Sequence, residues 1–244
     1  IYRIFSPMKF RVLYFALIVG LFFTNFVNGQ TVCTWVGGDA GGVNNWDIDA
    51  NWTTTVGGVA AAAAKPTNSS DVIIPNSITN YPVVGSGTCV AKDVTLNANG
   101  GTSNPLLTIS SGLTLDIEGD FFMSGGTLTM ASNAVFDVNG NWNDVAGSFA
   151  PVDGTVKLTA SADQTISCGA ANNFRNLEFS NDGVATNDRT ALTDITVTRD
   201  LDIKNSTRFI IGAVTATINN VFRNLDVDAT AFISLNDNGS VLIA

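Results

Sequence analysis

Two stretches of the chain, Leu107–Phe121 (LTISSGLTLDIEGDF) and Leu128–Trp142 (LTMASNAVFDVNGNW), align without a gap at an offset of 21 residues. Leu107/Leu128, Thr108/Thr129, Ser111/Ser132, Asp116/Asp137 and Gly119/Gly140 are identities, and most other pairs match in kind, as in Leu115/Phe136 and Phe121/Trp142. The same offset relates Thr196-Val197 to Thr217-Ile218, and Leu201 to Phe222. Apolar residues alternate with polar ones inside each unit, as in Leu113, Leu115 and Ile117, which is the pattern of a strand with one face inward. Glycines at 119, 125, 126, 140 and 147 punctuate the strands. A unit this short cannot bury its inward side chains alone and must stack on its neighbours. The expected fold is all-β, a right-handed parallel β-helix (β-solenoid) with coils of about 21 residues. An antiparallel sandwich with strands every ~8–12 residues is the competing architecture; the fixed offset favours the solenoid.

The composition narrows the function. Of 244 residues, 45% are hydrophobic and 14% charged, which suits a packed core rather than disorder. With 21 acidic and 12 basic side chains the net charge is −9, the wrong sign for a nucleic-acid partner. There is no histidine, which removes Ser-His-Asp and Cys-His chemistry and His-ligated metal sites.

Met8, Lys9 and Arg11 precede the apolar run Val12–Phe23, and Val27 and Gly29 fit the small-residue positions of a cleavage site. Residues 1–29 therefore read as upstream residues plus a secretory signal peptide starting at Met8. The run is too short to cross a bilayer of roughly 30 Å as a helix, so no membrane span is expected after its removal. Without Arg3, Lys9 and Arg11 the net charge becomes about −12. Residues 30–88 are expected to form an N-terminal cap, and residues 89–244 the β-helix, with room for roughly seven coils. Val241-Leu242-Ile243-Ala244 stops inside an apolar run, so the chain reads as truncated at its C-terminus.

Trp35, Trp46 and Trp52 lie among glycines and asparagines. They would cover the open end of the first coil or offer a carbohydrate platform on which sugars stack. Val59–Ala64 is expected to form a helical turn or a loop. The frame Trp35-Val36-Gly37-Gly38, Trp46, Asn51-Trp52, Pro66-Thr67, Asp71-Val72-Ile73-Ile74-Pro75 continues into Gly154-Thr155-Val156, Gln164-Thr165-Ile166 and Phe174-Arg175-Asn176-Leu177. It resembles the N-terminal region of large secreted, multi-repeat cell-surface proteins of the Bacteroidetes kind, many of them exported by type IX secretion. The resemblance implies right-handed β-helices used as stalks, adhesins or presentation scaffolds, and implies no particular reaction.

Carboxylate pairs are the best chemical candidates. Asp200 and Asp202 flank Leu201, and Asp226 and Asp228 flank Val227, so each pair shares an outer face. They suit Ca²⁺, acid–base work on glycosidic bonds, or simply a solvated acidic face; no Arg/Lys constellation accompanies them at an obvious spacing. Cys33 and Cys89, both around the cap, are expected to form a disulfide, and Cys168 to be a buried thiol. Paired threonines at 196/198 and 215/217 are too few for an ice-binding array. The expected function is a non-enzymatic, secreted or cell-surface structural or adhesin segment with no catalytic residues, and with no cofactor unless the aspartates hold Ca²⁺. Its partners would be surface glycans or host and matrix polymers. The alternatives are a fragment of a carbohydrate-active enzyme, lyase or glycosidase, and a carbohydrate-binding module.

Overall fold

The computed structural model describes residues 29–37, 44–97, 104–169, 172–181, 186–211, 215–218, 224–235 and 241–243. The expected leader lies outside them except for Gly29, and so does Phe222. Short strands stack in parallel into a β-solenoid of about six turns spaced by about 22 residues.

Three sheets run along the stack. The first contains Thr31–Trp35, Ser70–Pro75, Val94–Asn97, Phe121–Met123, Trp142–Asp144, Gln164–Ser167, Asn187–Ala191, Thr207–Ile211 and Phe232–Leu235 in that order. The second contains Val83–Val84, Leu106–Ile109, Thr127–Met130 and Ser148–Pro151. The third starts at Thr88–Ala91 and continues through Thr114–Ile117, Val135–Val138, Thr155–Leu158, Phe174–Phe179 and Ile195–Ile203. Thr215–Ile218 and Asn224–Val227 both pair with the long strand Ile195–Ile203.

The internal repeat is reproduced as register. Leu107 pairs with Leu128, Asp116 with Asp137, and Phe121 with Trp142. Thr196 pairs with Thr217 at the same offset. Leu201, however, pairs with Leu225 and not with Phe222. The next coil meets the long strand as two separate strands, Thr215–Ile218 at an offset of 21 residues and Asn224–Val227 at an offset of 24.

Inward positions form continuous apolar columns. On the third sheet Cys89, Leu115, Phe136, Val156, Leu177 and Leu201 stack in one column and are all buried. Phe121, Phe136 and Trp142 meet from two sheets, with ring centroids 4.6 Å (Phe121–Trp142), 5.0 Å (Phe121–Phe136) and 5.8 Å (Phe136–Trp142) apart. The conserved spacing of Gly119 and Gly140 has a steric cause. Gly140 N–H donates to Gly119 O at 2.8 Å, and a Cβ at position 140 would strike the Gly119 carbonyl.

Among the described residues two charged side chains lie in the core, Asp144 and Arg189. The Arg189 guanidinium donates to the backbone carbonyls of Ala160 (2.8 Å), Ser180 (2.7 Å) and Ala162 (3.0 Å), tying irregular corners of adjacent coils together. Burial pulls its pKa down to about 10, against the opposing charges of Asp163 and Asp188, so it remains a cation at neutral pH.

The N-terminal end departs from the parallel rule. Thr31–Trp35 pairs in parallel with Ser70–Pro75, but on its other side it pairs antiparallel with Trp52–Val56, which turns at Gly57-Gly58 into Val59–Ala61. The Val59–Ala64 segment therefore begins as an exposed edge strand rather than a helical turn.

Two substitutions check this packing. Phe136→Ala, which empties the three-ring contact, should cost roughly 3–5 kcal/mol in urea unfolding. Gly140→Ala should cost about 1–3 kcal/mol through overpacking against backbone; an unchanged unfolding midpoint would contradict the close coil approach.

Candidate functional site

In-register stacking turns outward residues of successive coils into rows. On the third sheet one row runs Asp116, Asp137, Lys157, Glu178, Asp202, Asp226. The neighbouring row runs Thr114, Val135, Thr155, Asn176, Asp200, Asn224. Rungs are ~4.8 Å apart, so a carboxylate placed on every rung would repel its neighbours. Lys157 interrupts the row, 3.3 Å from Glu178, and Lys204 reaches in from the side, 2.9 Å from Glu178 and 3.5 Å from Asp202.

The protonation behaviour follows from these contacts. Burial pushes Glu178 upward, but the Lys204 hydrogen bond and the charges of Lys157 and Lys204 outweigh it and hold the carboxyl below its ordinary value. Burial raises Asp202, only partly offset by Lys204. Burial also raises Asp116, helped by the like charges of Asp137 and Glu118. Lys204 is raised, chiefly by its hydrogen bond to Glu178.

A β-bulge shapes the same face. Phe174 pairs with Val197 but Asn176 with Asp200, so the strand Ile195–Ile203 holds one extra residue there. Thr198 Oγ1 donates to Phe174 O at 3.2 Å within the bulge. Arg199 is directed at Asp153, which Arg175 also approaches at 3.9 Å, and lies 3.3 Å from Asp200. The result is a cleft of about 210 Å³ lined by Asn133, Asp153, Thr155, Asn176, Glu178, Arg199, Asp200 and Asp202. Asn176 Oδ1 and Asp200 Oδ1, on adjacent rungs, are enclosed there without a hydrogen-bond donor.

The sequence-derived site residues fall out as follows. Asp200 and Asp202 do share the outer face and do enter a common cleft. Asp226 stands next to Asp202 on the following rung, whereas Asp228 leaves the row and accepts from Asn205 N–H at 3.1 Å in a turn. Among the described residues no group of three or more acidic or cysteine side chains is placed to hold a metal ion. Lys204 occupies the space between carboxylates that a cation would need. No Arg/Lys constellation at an obvious spacing is expected beside the aspartates, yet Arg199 reaches Asp200 and Lys204 reaches Asp202, while Lys157 and Arg175 pair with the neighbouring Glu178 and Asp153. Arg199 sits beside Asp200 in sequence, and the Lys157–Glu178 pair repeats the 21-residue offset; that offset was the available signal.

Trp35, Trp46 and Trp52 form one packed cluster and offer no face for a sugar. Each is at most 1% exposed, and Trp52 meets both partners edge-on at 4.9 Å. Trp35 Nε1 donates to Asn80 O at 2.7 Å and Trp52 Nε1 to Trp46 O at 2.8 Å, which anchors irregular chain over the first strands. The Cys33–Cys89 disulfide is not formed. Cys33 lies on the first sheet and Cys89 on the third, and both are buried free thiols, as is Cys168. Burial pushes the Cys89 and Cys168 thiols up to about 12, so neither is a nucleophile at neutral pH.

No family model, curated protein or solved structure matches the chain. Among the described residues no helix is long and apolar enough to cross a membrane.

Glu178→Gln should reduce stability by about 1–2 kcal/mol at pH 7, since it removes a charged acceptor shared by two half-exposed lysines. The folded-state pKa is depressed, so this contribution is present above the unfolded carboxyl value and is lost as pH falls through the folded one. Wild-type and variant unfolding curves should therefore converge in acid; a gap that persists at about pH 2–3 would contradict the ion-pair origin.

Proposed function

We propose that this chain is a non-enzymatic structural or adhesive β-helix segment of a secreted or cell-surface protein, presenting its outer faces to surface glycans or matrix polymers. The observation that carries this reading is the pairing of the cleft carboxylates with cations. Glu178 is held by Lys157 and Lys204, Asp153 by Arg175 and Arg199, Asp200 by Arg199, and Asp202 by Lys204. Glycoside cleavage by two carboxyl groups requires one of them to be a protonated acid beside an unobstructed carboxylate. Here Lys157 and Lys204 hold Glu178 ionised, and Asp202, although burial raises it, is paired with the same Lys204, so neither carboxyl group is unobstructed. The same pairing suits a scaffold, since it lets an acidic chain stack coil on coil without accumulating repulsion.

The resemblance of the Trp35–Pro75 frame to Bacteroidetes-type surface proteins, with the basic and apolar pattern from Met8 to Gly29, supports export to the cell surface, the type IX route included. One observation favours a second reading as a carbohydrate-active fragment. Glu178 and Asp202 occupy adjacent rungs, a spacing near the ~5 Å of paired carboxylates in retaining glycosidases. The purified chain, incubated with a panel of neutral and uronic polysaccharides, should produce no new reducing ends and no unsaturated uronate absorbance. Chain shortening that disappears in both Glu178→Gln and Asp202→Asn would establish the enzymatic reading instead.

A further inference from the structure

We propose that a cleft on the outer side of the first sheet, centred on Phe122, is a binding subsite for a neutral glycan. The proposal rests on the adhesive reading and supplies it with a site and a ligand class. The cleft, about 300 Å³, is lined chiefly by Phe122, Asn141, Asn143, Thr165, Ser167 and Leu192. It lies on a different sheet from the charged face.

Its origin is legible in one dipeptide. In a strand of period two, Phe121-Phe122 must send one ring inward and one outward. Phe121 is buried against Trp142, and Phe122 is half-buried on the outer side. Parallel register then sets Phe122 in a row with Thr95 on one side and Asn143 and Ser167 on the other. Leu192, 56% exposed, continues the row just past Ser167, its N–H bonded to Ile166 O at 2.8 Å. An aromatic ring, an amide, a hydroxyl and an aliphatic side chain thus follow one another along the solenoid axis over about 14 Å, at ~4.8 Å per rung.

One wall of the cleft is held in place. Asp120 Oδ1 accepts from Asn141 N at 2.6 Å and Nδ2 at 3.1 Å, and Asn141 Oδ1 accepts from Thr165 N at 2.8 Å and Oγ1 at 2.9 Å. Among the described residues the single carboxylate in the lining is therefore engaged, and no lysine or arginine lines the cleft.

The chemistry selects the ligand class. Phe122 and Leu192 suit the C–H face of a sugar ring, and Asn143 and Ser167 can donate to and accept from its hydroxyls. An anionic ligand would find no counter-charge and would meet a protein of net charge −9. A purely apolar ligand would desolvate Asn143 and Ser167 without replacing their hydrogen bonds. A peptide strand could not add here, because these strands already pair on both sides. The row runs parallel to the stack, so a linear neutral oligosaccharide would lie along the axis.

The test is a solution titration of the purified chain with neutral hexose oligosaccharides of several linkages and with size-matched uronic oligosaccharides. The expected result is binding of at least one neutral series and none of the uronic series. Phe122→Ala should weaken it at least tenfold, Phe122→Trp should retain it, and Asn143→Ala should weaken it without changing the unfolding midpoint. Val152→Ser, at an exposed position just after the Ser148–Pro151 strand of the second sheet, should leave it unchanged. Absence of binding to every neutral series, preference for the uronic series, or binding indifferent to both Phe122→Ala and Asn143→Ala would overturn the proposal. The non-enzymatic reading fails separately, by shortening of the oligosaccharide during the titration, and that outcome leaves a Phe122-dependent affinity interpretable as a subsite.

Discussion

Each coil of this protein owns an apolar stripe too narrow to bury itself, and the next coil is what covers it. Burial and backbone pairing are satisfied by the same act, because a coil that docks in parallel register closes the hydrogen-bond ladders of its neighbour while sealing the neighbour's inward column. That explains why Leu107, Leu115 and Phe121 each face their repeat counterparts rather than a partner elsewhere in the chain. It also explains why glycine recurs at 119 and 140, where a Cβ would strike the Asp93 carboxylate and the Gly119 backbone of the preceding coil, respectively.

Stacking in register has an electrostatic consequence. Identical outward residues would pile like charges along the axis, as Asp116 and Asp137 do, with Asp116 raised in response to burial and to that neighbour. The chain relieves this by placing Lys157 on the following rung and by swinging Lys204 and Arg199 into the row from the side. The middle of the acidic face, from Lys157 to Asp202, is thereby held by ion pairs. The uncharged Phe122 row lies on another sheet, so the two outer surfaces differ in what they can recognise.

The coil repeat, the inward columns and the shared face of Asp200 and Asp202 were readable because a strand's period of two and a fixed offset act locally. The departures arose at corners and interfaces. Leu201 takes Leu225 because pairing along Ile195–Ile203 steps from an offset of 21 residues to one of 24, and the bulge at Phe174 and Asn176 brings Arg199 to Asp153 across coils. Three tryptophans in a glycine-rich segment are equally compatible with an exposed platform and a packed plug. Only the pairing of Thr31–Trp35 with Trp52–Val56, which sets Trp35 opposite Trp52, decides for the plug. Cys33 and Cys89 both lie around the cap in sequence, yet different sheets carry them.

By itself the sequence determined the coil: its length, which residues face inward, and where glycine must stand, since all of these depend on alternation and on neighbours one repeat away. Tertiary structure decided which outward groups meet. Pairing offsets vary from coil to coil, 20 residues between Val135 and Thr155 but 24 between Trp142 and Ile166, so contacts between charged side chains on successive coils are not encoded in any local period. The burial of the tryptophans, the neutralisation of the aspartates and the exposure of Phe122 beside Asn143 and Ser167 all follow from that register.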